Sequence, residues 1–420
     1  MTNGRLDRPR GLGQSRLAGA RLGGLAFSLV LVGTALIAGC GHTSRNAGSS
    51  QAPSSGGWVR ASCGGLHTAA LKTGGTLWTW GSNQWGQLGT GVDATQVDVP
   101  VEVDPGSRWL SVSCGWDHTV AVKADGTLWA WGDNGSGELG VGDTRERTTP
   151  TRVGNASDWA NVSCGWDHSA AVKKDGTLWT WGANDYGQLG TGRLGGERTV
   201  PTRVGTAHDW AAVSCGDLDM IALKTDGTLW ACGSDLSGEL GLGSGGDRAT
   251  LTEIGTAHDW AAVSCGGLHV AALKRDGTLW VWGDNSAGEL GVGDTRDRAV
   301  PTRASGGGDW AVVSCGALHT AAIRSDGTLW TWGYDYGGEL GLGGGRAGLL
   351  LAGTVFVRVV PAQVGLQRDW VTVSCGTGHT AALAAGGVLW TWGNNHEGEL
   401  GLGDTELRRS PVAVADIPSR

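Results

Sequence analysis

From Trp58 onward, short runs of β-prone residues return at a fixed spacing. The tryptophan that opens each run stands at Trp58, Trp109, Trp159, Trp210, Trp260, Trp310 and Trp370, so successive copies are 51, 50, 51, 50, 50 and 60 residues apart. Within one copy, Ser111 to Cys114 and Thr119 to Lys123 mix valine, threonine and small residues, and Asp125-Gly126 then leads into Thr127-Leu128-Trp129-Ala130-Trp131. Asp-Gly between two such runs predicts a two-residue hairpin with positive φ at both central positions. A glycine-rich loop, Gly137 to Gly142, follows, and Pro150-Thr151-Arg152-Val153 predicts a fourth short strand opening on its proline, where no ladder donor is lost. Four antiparallel strands per unit make a blade, and a period near 50 predicts a solenoid or a propeller.

Seven opening segments are matched by seven returning segments, at Pro100, Pro150, Pro201, Leu251, Pro301, Pro361 and Pro411. The expected fold is therefore all-β, a seven-bladed β-propeller over residues 58–420. Because the last return has no later tryptophan segment to join, Pro411 to Ile417 is expected to complete the blade opened at Trp58. Closure of that kind would leave no exposed sheet edge between the chain ends.

The run V-S-C-G-x-x-H-T-A-A-L-K-x-D-G-T-L-W-x-W-G-x-N-x-x-G-E-L-G-x-G-D, which returns in each copy, resembles the repeat of the regulator of chromosome condensation family (alpha-tubulin suppressor-like). The resemblance covers roughly residues 58 to 417 and implies a seven-bladed propeller. Members of that family include a nucleotide exchange factor for a small nuclear GTPase, scaffolds, light receptors and secreted enzyme inhibitors, so the fold does not fix the function.

Ahead of the repeats, Arg5, Arg8, Arg10, Arg16 and Arg21 form a basic stretch, and Gly23 to Ala38 an apolar one. Leu36-Ile37-Ala38-Gly39-Cys40 then resembles the bacterial lipobox, whose cysteine is acylated after cleavage. The expected organisation is a lipoprotein signal peptide over 1–39, lipidation at Cys40, a flexible Gly/Ser tether over 40–57, and the propeller. Gly41 after the cysteine points to sorting to the outer membrane. The whole chain carries a formal charge of −8, and losing residues 1–39 with their five arginines and Asp7 leaves 27 basic against 39 acidic groups, −12. An acidic chain lacks the basic footprint of a nucleic-acid module. The expected state is a monomer held to the membrane only by its lipid.

Cys63, Cys114, Cys164, Cys215, Cys265, Cys315 and Cys375 share one repeat position, while Cys232 replaces a tryptophan. Equivalent positions on neighbouring sheets are too far apart for disulfides, so these read as small buried hydrophobes. Histidines follow four residues on, at His67, His118, His168, His269, His319 and His379, with Asp219 in the fourth copy. Each Cys/His pair belongs to a different blade and cannot gather four zinc ligands; the histidines are expected to satisfy a backbone group at a turn. Glu138, Glu239, Glu289, Glu339 and Glu399 alternate with Gln87 and Gln188, which fits a shared hydrogen bond better than acid catalysis. The arginines at 147, 198, 248, 298, 358 and 408 read as partners of loop carboxylates. No metal, cofactor or catalytic set is expected.

What differs between copies is more informative than what repeats. The loop after the cysteine and the loop after Trp-x-Trp-Gly should emerge on one side, and there Trp85, Trp116, Trp166, Tyr186, Tyr334 and Tyr336 stand where other copies have Gly, Ser, Ala or Thr. Aromatics gathered on an exposed face mark binding hot spots. The sixth copy adds an apolar insert within Gly344 to Val359, with Leu350 and Phe356 as candidate contacts, readable as a binding loop or as an extended β-arm. The reading is a lipid-anchored binding module or scaffold at the cell envelope with an unidentified protein partner. Its alternatives are a secreted-type enzyme inhibitor, a loop-borne carboxylate enzyme and, by analogy alone, an exchange-factor-like regulator.

Overall fold

The computed structural model describes residues 56–415 apart from 244, 345–349 and 353–354, with side chains also left out at 350–355. Cys40, the targeting segment and nearly all of the tether lie outside the described residues. Seven antiparallel sheets follow one another in sequence, each ordered first-second-third-fourth strand. Blade 2 shows the pattern in Trp109–Cys114, His118–Lys123, Leu128–Gly132 and Arg147–Arg152. First strands of adjacent blades pack against each other around the axis. The fourth strand is the mostly exposed outer edge.

Three expectations about the strands are corrected. The hairpin has three residues rather than two: Lys123 and Thr127 close it, Gly126 N–H donates to the Lys123 carbonyl at 2.9 Å, and only Gly126 takes positive φ (81°). Asp125 instead accepts from the backbone N–H (3.0 Å) and hydroxyl (2.6 Å) of Thr127, whose oxygen accepts from the Trp129 indole at 2.8 Å. The fourth strand starts three residues before its proline, which is tolerated mid-strand because this is the outer edge. Most importantly, the last strand, Arg408–Ala413, pairs with Val388–Gly393 of its own seventh blade and not with the blade of Trp58. Every blade is continuous in sequence.

Among the described residues the core is divided rather than single. Seven apolar clusters fill the wedges between neighbouring blades, the seventh joining Leu383, Leu389 and Val414 of the last blade to Trp58 and Trp80 of the first. A register shift between Trp109 and Ser111 bulges the first strand, and Trp109 is buried while Leu110 is left exposed. Trp109 then meets Trp131 edge-on at 5.7 Å.

Polar belts cross the same wedges. Each repeat cysteine N–H donates to a serine hydroxyl of the preceding blade, seven bonds of 2.9–3.0 Å that run round the ring, including Cys63 to Ser374. The eight described cysteines are free and buried, as their spacing implied. Five of the six histidines reach a hydroxyl of the next blade rather than serving a turn, His168 being the exception. His67 Nε2 lies 2.9 Å from the Thr119 hydroxyl of the next blade. That hydroxyl donates to the Gln87 carbonyl, so it accepts from the ring and fixes the Nε2–H tautomer. The Gln87 carbonyl also accepts from the Trp131 indole at 2.9 Å. In blade 4 the stray Cys232 takes the indole's place, its S–H pointing at the Gln188 carbonyl at 3.5 Å.

Candidate functional site

The strands place two loops of each blade at the same end. In blade 2 His118 pairs with Gly132, and Asp133 N–H donates to the Asp117 carbonyl at 2.9 Å, so the turn carrying Trp116 and the loop beginning at Asp133 are joined. The opposite end carries the Asp-Gly hairpins, closed by lysines such as Lys123, which lies 4.8 and 4.0 Å from the Trp109 and Trp129 ring centres and 2.8 Å from Asp104. That end is occupied with its own contacts.

Trp116 and Trp166, from consecutive blades, stack with ring centres 4.9 Å apart and planes 25° apart. Both are half-buried, which leaves part of the pair open to solvent. On the side of blade 1 the backbone of Trp116 lies against Gly65, where a Cβ would sit 2.4 Å from the Trp116 carbonyl oxygen. Trp85 and Tyr186 are also half-buried, on the longer loops of blades 1 and 3. Across the ring, Tyr334 and Tyr336 of blade 6 lie 6.4 Å apart, Tyr336 being 64% exposed.

The insert of blade 6 takes the β-arm form. Leu350–Ala352 pairs antiparallel with Val355–Gln363 and becomes a fifth strand on the outer edge, Leu350 opposite Val357. Phe356 is half-buried, and its carbonyl accepts from Asp335 N–H at 3.0 Å, linking the arm to the tyrosine loop. The aromatic candidates thus form two groups at one end, over blades 1–3 and on blade 6.

The repeated loop carboxylates do share one hydrogen bond. Glu138 accepts from Ser136 N–H at 2.8 Å, and Gln87 accepts from Trp85 N–H at 2.9 Å in the same way. Arg147 and Arg298 pair with Asp143 and Asp294 at 2.8 and 2.9 Å, the role expected of them.

Sequence reasoning missed the acids that accompany the tryptophans. Asp117, Asp167 and Asp217 stand in the short turns of blades 2, 3 and 4, where Gly, Leu, Ala or Thr stand elsewhere; the between-copy comparison that picked out Trp116 and Trp166 would have found them. Burial raises the pKa of Glu138 well above its usual range, with Asp167 and Asp133 adding repulsion. Asp217 is raised likewise, by burial first and then by Asp219, Asp167 and Glu239. Glu138, Asp219 and Asp217 are 0, 1 and 2% exposed, whereas Asp117 and Asp167 are half-buried. Leu236, 68% exposed at the position of Tyr336, is a further apolar residue at this end.

A family model described as RCC1-like domain matches residues 30–347, and the Regulator of chromosome condensation (RCC1) repeat matches 326–383 and 386–420. The chain is similar to the X-linked retinitis pigmentosa GTPase regulator of Canis lupus familiaris, 41% identical over 90 residues, which is 21% of this chain and 9% of that protein. It is also similar to Protein RCC2 of Homo sapiens, 40% identical over 87 residues, 20% of this chain and 16% of that protein. Among solved structures, human WBSCR16 is 26% identical with a TM-score of 0.70, covering 81% of this chain and 94% of that one. Yeast RCC1 (Prp20), solved bound to Kap60, has a TM-score of 0.71 at 21% identity over 80% of this chain and 83% of its own, which shows the fold alone.

Proposed function

Because this chain belongs to the regulator of chromosome condensation family, we propose that it is a non-enzymatic protein-binding module, anchored by a lipid on Cys40 at the cell envelope and engaging its partner through the end that carries Trp116 and Trp166. The stacked, half-open tryptophan pair carries the reading. Each ring holds the other in place, so little conformational freedom is lost on binding, and large rigid aromatics of this kind dominate interface energetics. The opposite end has its lysines and indoles already engaged with one another.

Truncating an aromatic anchor at a hot spot costs at least about 2 kcal/mol, roughly thirtyfold in affinity. The paired Trp116→Ala and Trp166→Ala substitutions should therefore release a partner recovered from envelope extracts with the wild type. Changes at Lys224 or Asp226, on the hairpin end, should leave it bound. A partner that ignores the tryptophans and is lost on changing the hairpin end would refute this choice of face. The anchor has its own test: Cys40→Ala should abolish incorporation of labelled fatty acid, and continued labelling would remove the lipid from the proposal.

A further inference from the structure

Two neighbouring blade junctions solve the same problem in different ways. Between blades 1 and 2, Gln87 Nε2 donates to Asp117 Oδ1 at 3.0 Å, an amide meeting a carboxylate. One junction on, Glu138 stands in the place of Gln87, Asp167 in that of Asp117, and Asp133 in that of Ser82. Oxygens of Asp133, Glu138 and Asp167 all lie within 4.8 Å of one another. The donor of the first junction has become an acceptor, and a third acid has been added.

Glu138 shows what is missing. One of its oxygens accepts from Ser136 N–H, while the other, Oε1, is buried and has no hydrogen-bond partner. The corresponding glutamates of blades 5, 6 and 7 also leave one oxygen unpartnered, and there a proton is remedy enough, since burial raises Glu289 and Glu339 to about 8 and Glu399 to about 7. Those glutamates face Leu318, Gly378 and Leu66 of the next blade at the position where Glu138 faces Asp167. A single proton at Glu138 would still leave two carboxylates beside each other. Two oxygens held about 2.4 Å from one ion are at most about 4.8 Å apart, so the three carboxylates lie close enough together to share one ion of calcium size, with water completing its shell.

We propose that Asp133, Glu138 and Asp167 bind a hard divalent cation of the calcium class at the junction of blades 2 and 3. All donors are carboxylate oxygens, which suits calcium and not the softer metals that favour thiolate or imidazole. The cation joins the long loop of blade 2 to the turn that carries Trp166. Loading the site therefore steadies one half of the tryptophan pair.

Glu138→Gln tests this, since it recreates the amide–carboxylate pair already present as Gln87 and Asp117 and so should fold. Wild-type protein stripped with a chelator should gain several degrees in Tm on adding millimolar calcium, and terbium should give luminescence sensitised by tryptophan excitation. In Glu138→Gln both responses should disappear or weaken at least about tenfold, the scale on which even outer-shell changes act at metal sites. If that variant does not fold, Asp167→Asn should lose the same responses. A wild type indifferent to calcium and terbium would overturn the proposal and leave shared protons as the remedy. So would a folded variant that responds as the wild type does.

Discussion

At the scale of single residues, the wedges hold two sets of buried titratable groups with opposite pH dependence. Burial lowers His67, His118, His269, His319 and His379 from 6.5 to about 3, and His168 to about 4. The unfolded chain takes up protons there that the folded chain refuses, so this stability is full above pH 6.5 and is lost as pH falls toward 3. The loop glutamates run the other way. Glu289 and Glu339, raised from 4.5 to about 8, keep protons that the unfolded chain releases, so their contribution is present below pH 4.5 and is lost as pH rises to about 8. The urea midpoint should therefore fall at both ends of a titration from acid to mildly alkaline pH. Glu289→Gln, the residue type already used at Gln87 and Gln188, should reduce the alkaline decline and leave the acid limb unchanged. An alkaline limb identical in wild type and variant would show that Glu289 is not held protonated in the fold.

At the scale of elements, the glycine-rich loop is a latch between blades. At the ring-closing junction the Glu399 carbonyl accepts from the Trp80 indole at 2.9 Å and from the Thr68 hydroxyl at 2.8 Å. Gly401 lies against the same indole: its φ is +69°, and a Cβ there would sit 2.7 Å from Trp80 Nε1. Gly401→Ala combines the left-handed penalty of about 1–2 kcal/mol with overpacking of about 1–3 kcal/mol. Gly365→Ala meets only the first, since φ is +58° but nothing lies within 4 Å of the added carbon. Thermal melting should rank wild type above Gly365→Ala and that variant above Gly401→Ala. Equal melting of the two variants would show that the latch tolerates being pushed off the indole.

At the scale of the molecule, the ring closes through side chains and loops between blades 7 and 1. Trp58 N–H donates to the Gly387 carbonyl at 2.9 Å, Thr68 meets His379 at 2.9 Å, and Cys63 meets Ser374. Among the described residues no strand is exchanged, so moving the chain ends to another junction should cost little. Val414 packs with Trp58 as Val103 packs with Trp109, and residues 104 to 108 make the latter connection. A circular permutant joined across 415 and 57 and opened in the turn at 255–258 should melt within a few degrees of the parent. Opening it instead in the hairpin at 225–227 cuts a sheet and should lower Tm clearly. If the two openings melt alike, the continuous blade is not the cooperative unit.

The sequence by itself determined the number of blades and the four-strand pattern that they share, because each copy repeats a local pattern: tryptophan, cysteine, hairpin, Trp-x-Trp, glycine loop. The free cysteines and the shared hydrogen bond of the Glu/Gln position were legible for the same reason, since a residue repeated in every copy answers a need repeated in every copy. The tertiary structure alone decided how the ring closes. A last segment that pairs with its own blade and one that pairs with the first have the same sequence pattern, and register is a choice between partners distant in the chain. Structure also decided that five of the six histidines bind hydroxyls of the next blade, that Trp116 stacks on Trp166, and that Asp133, Glu138 and Asp167 converge. Each of these joins residues of two blades, and the distance between blades is set by side-chain packing in the wedges, which no single repeat contains.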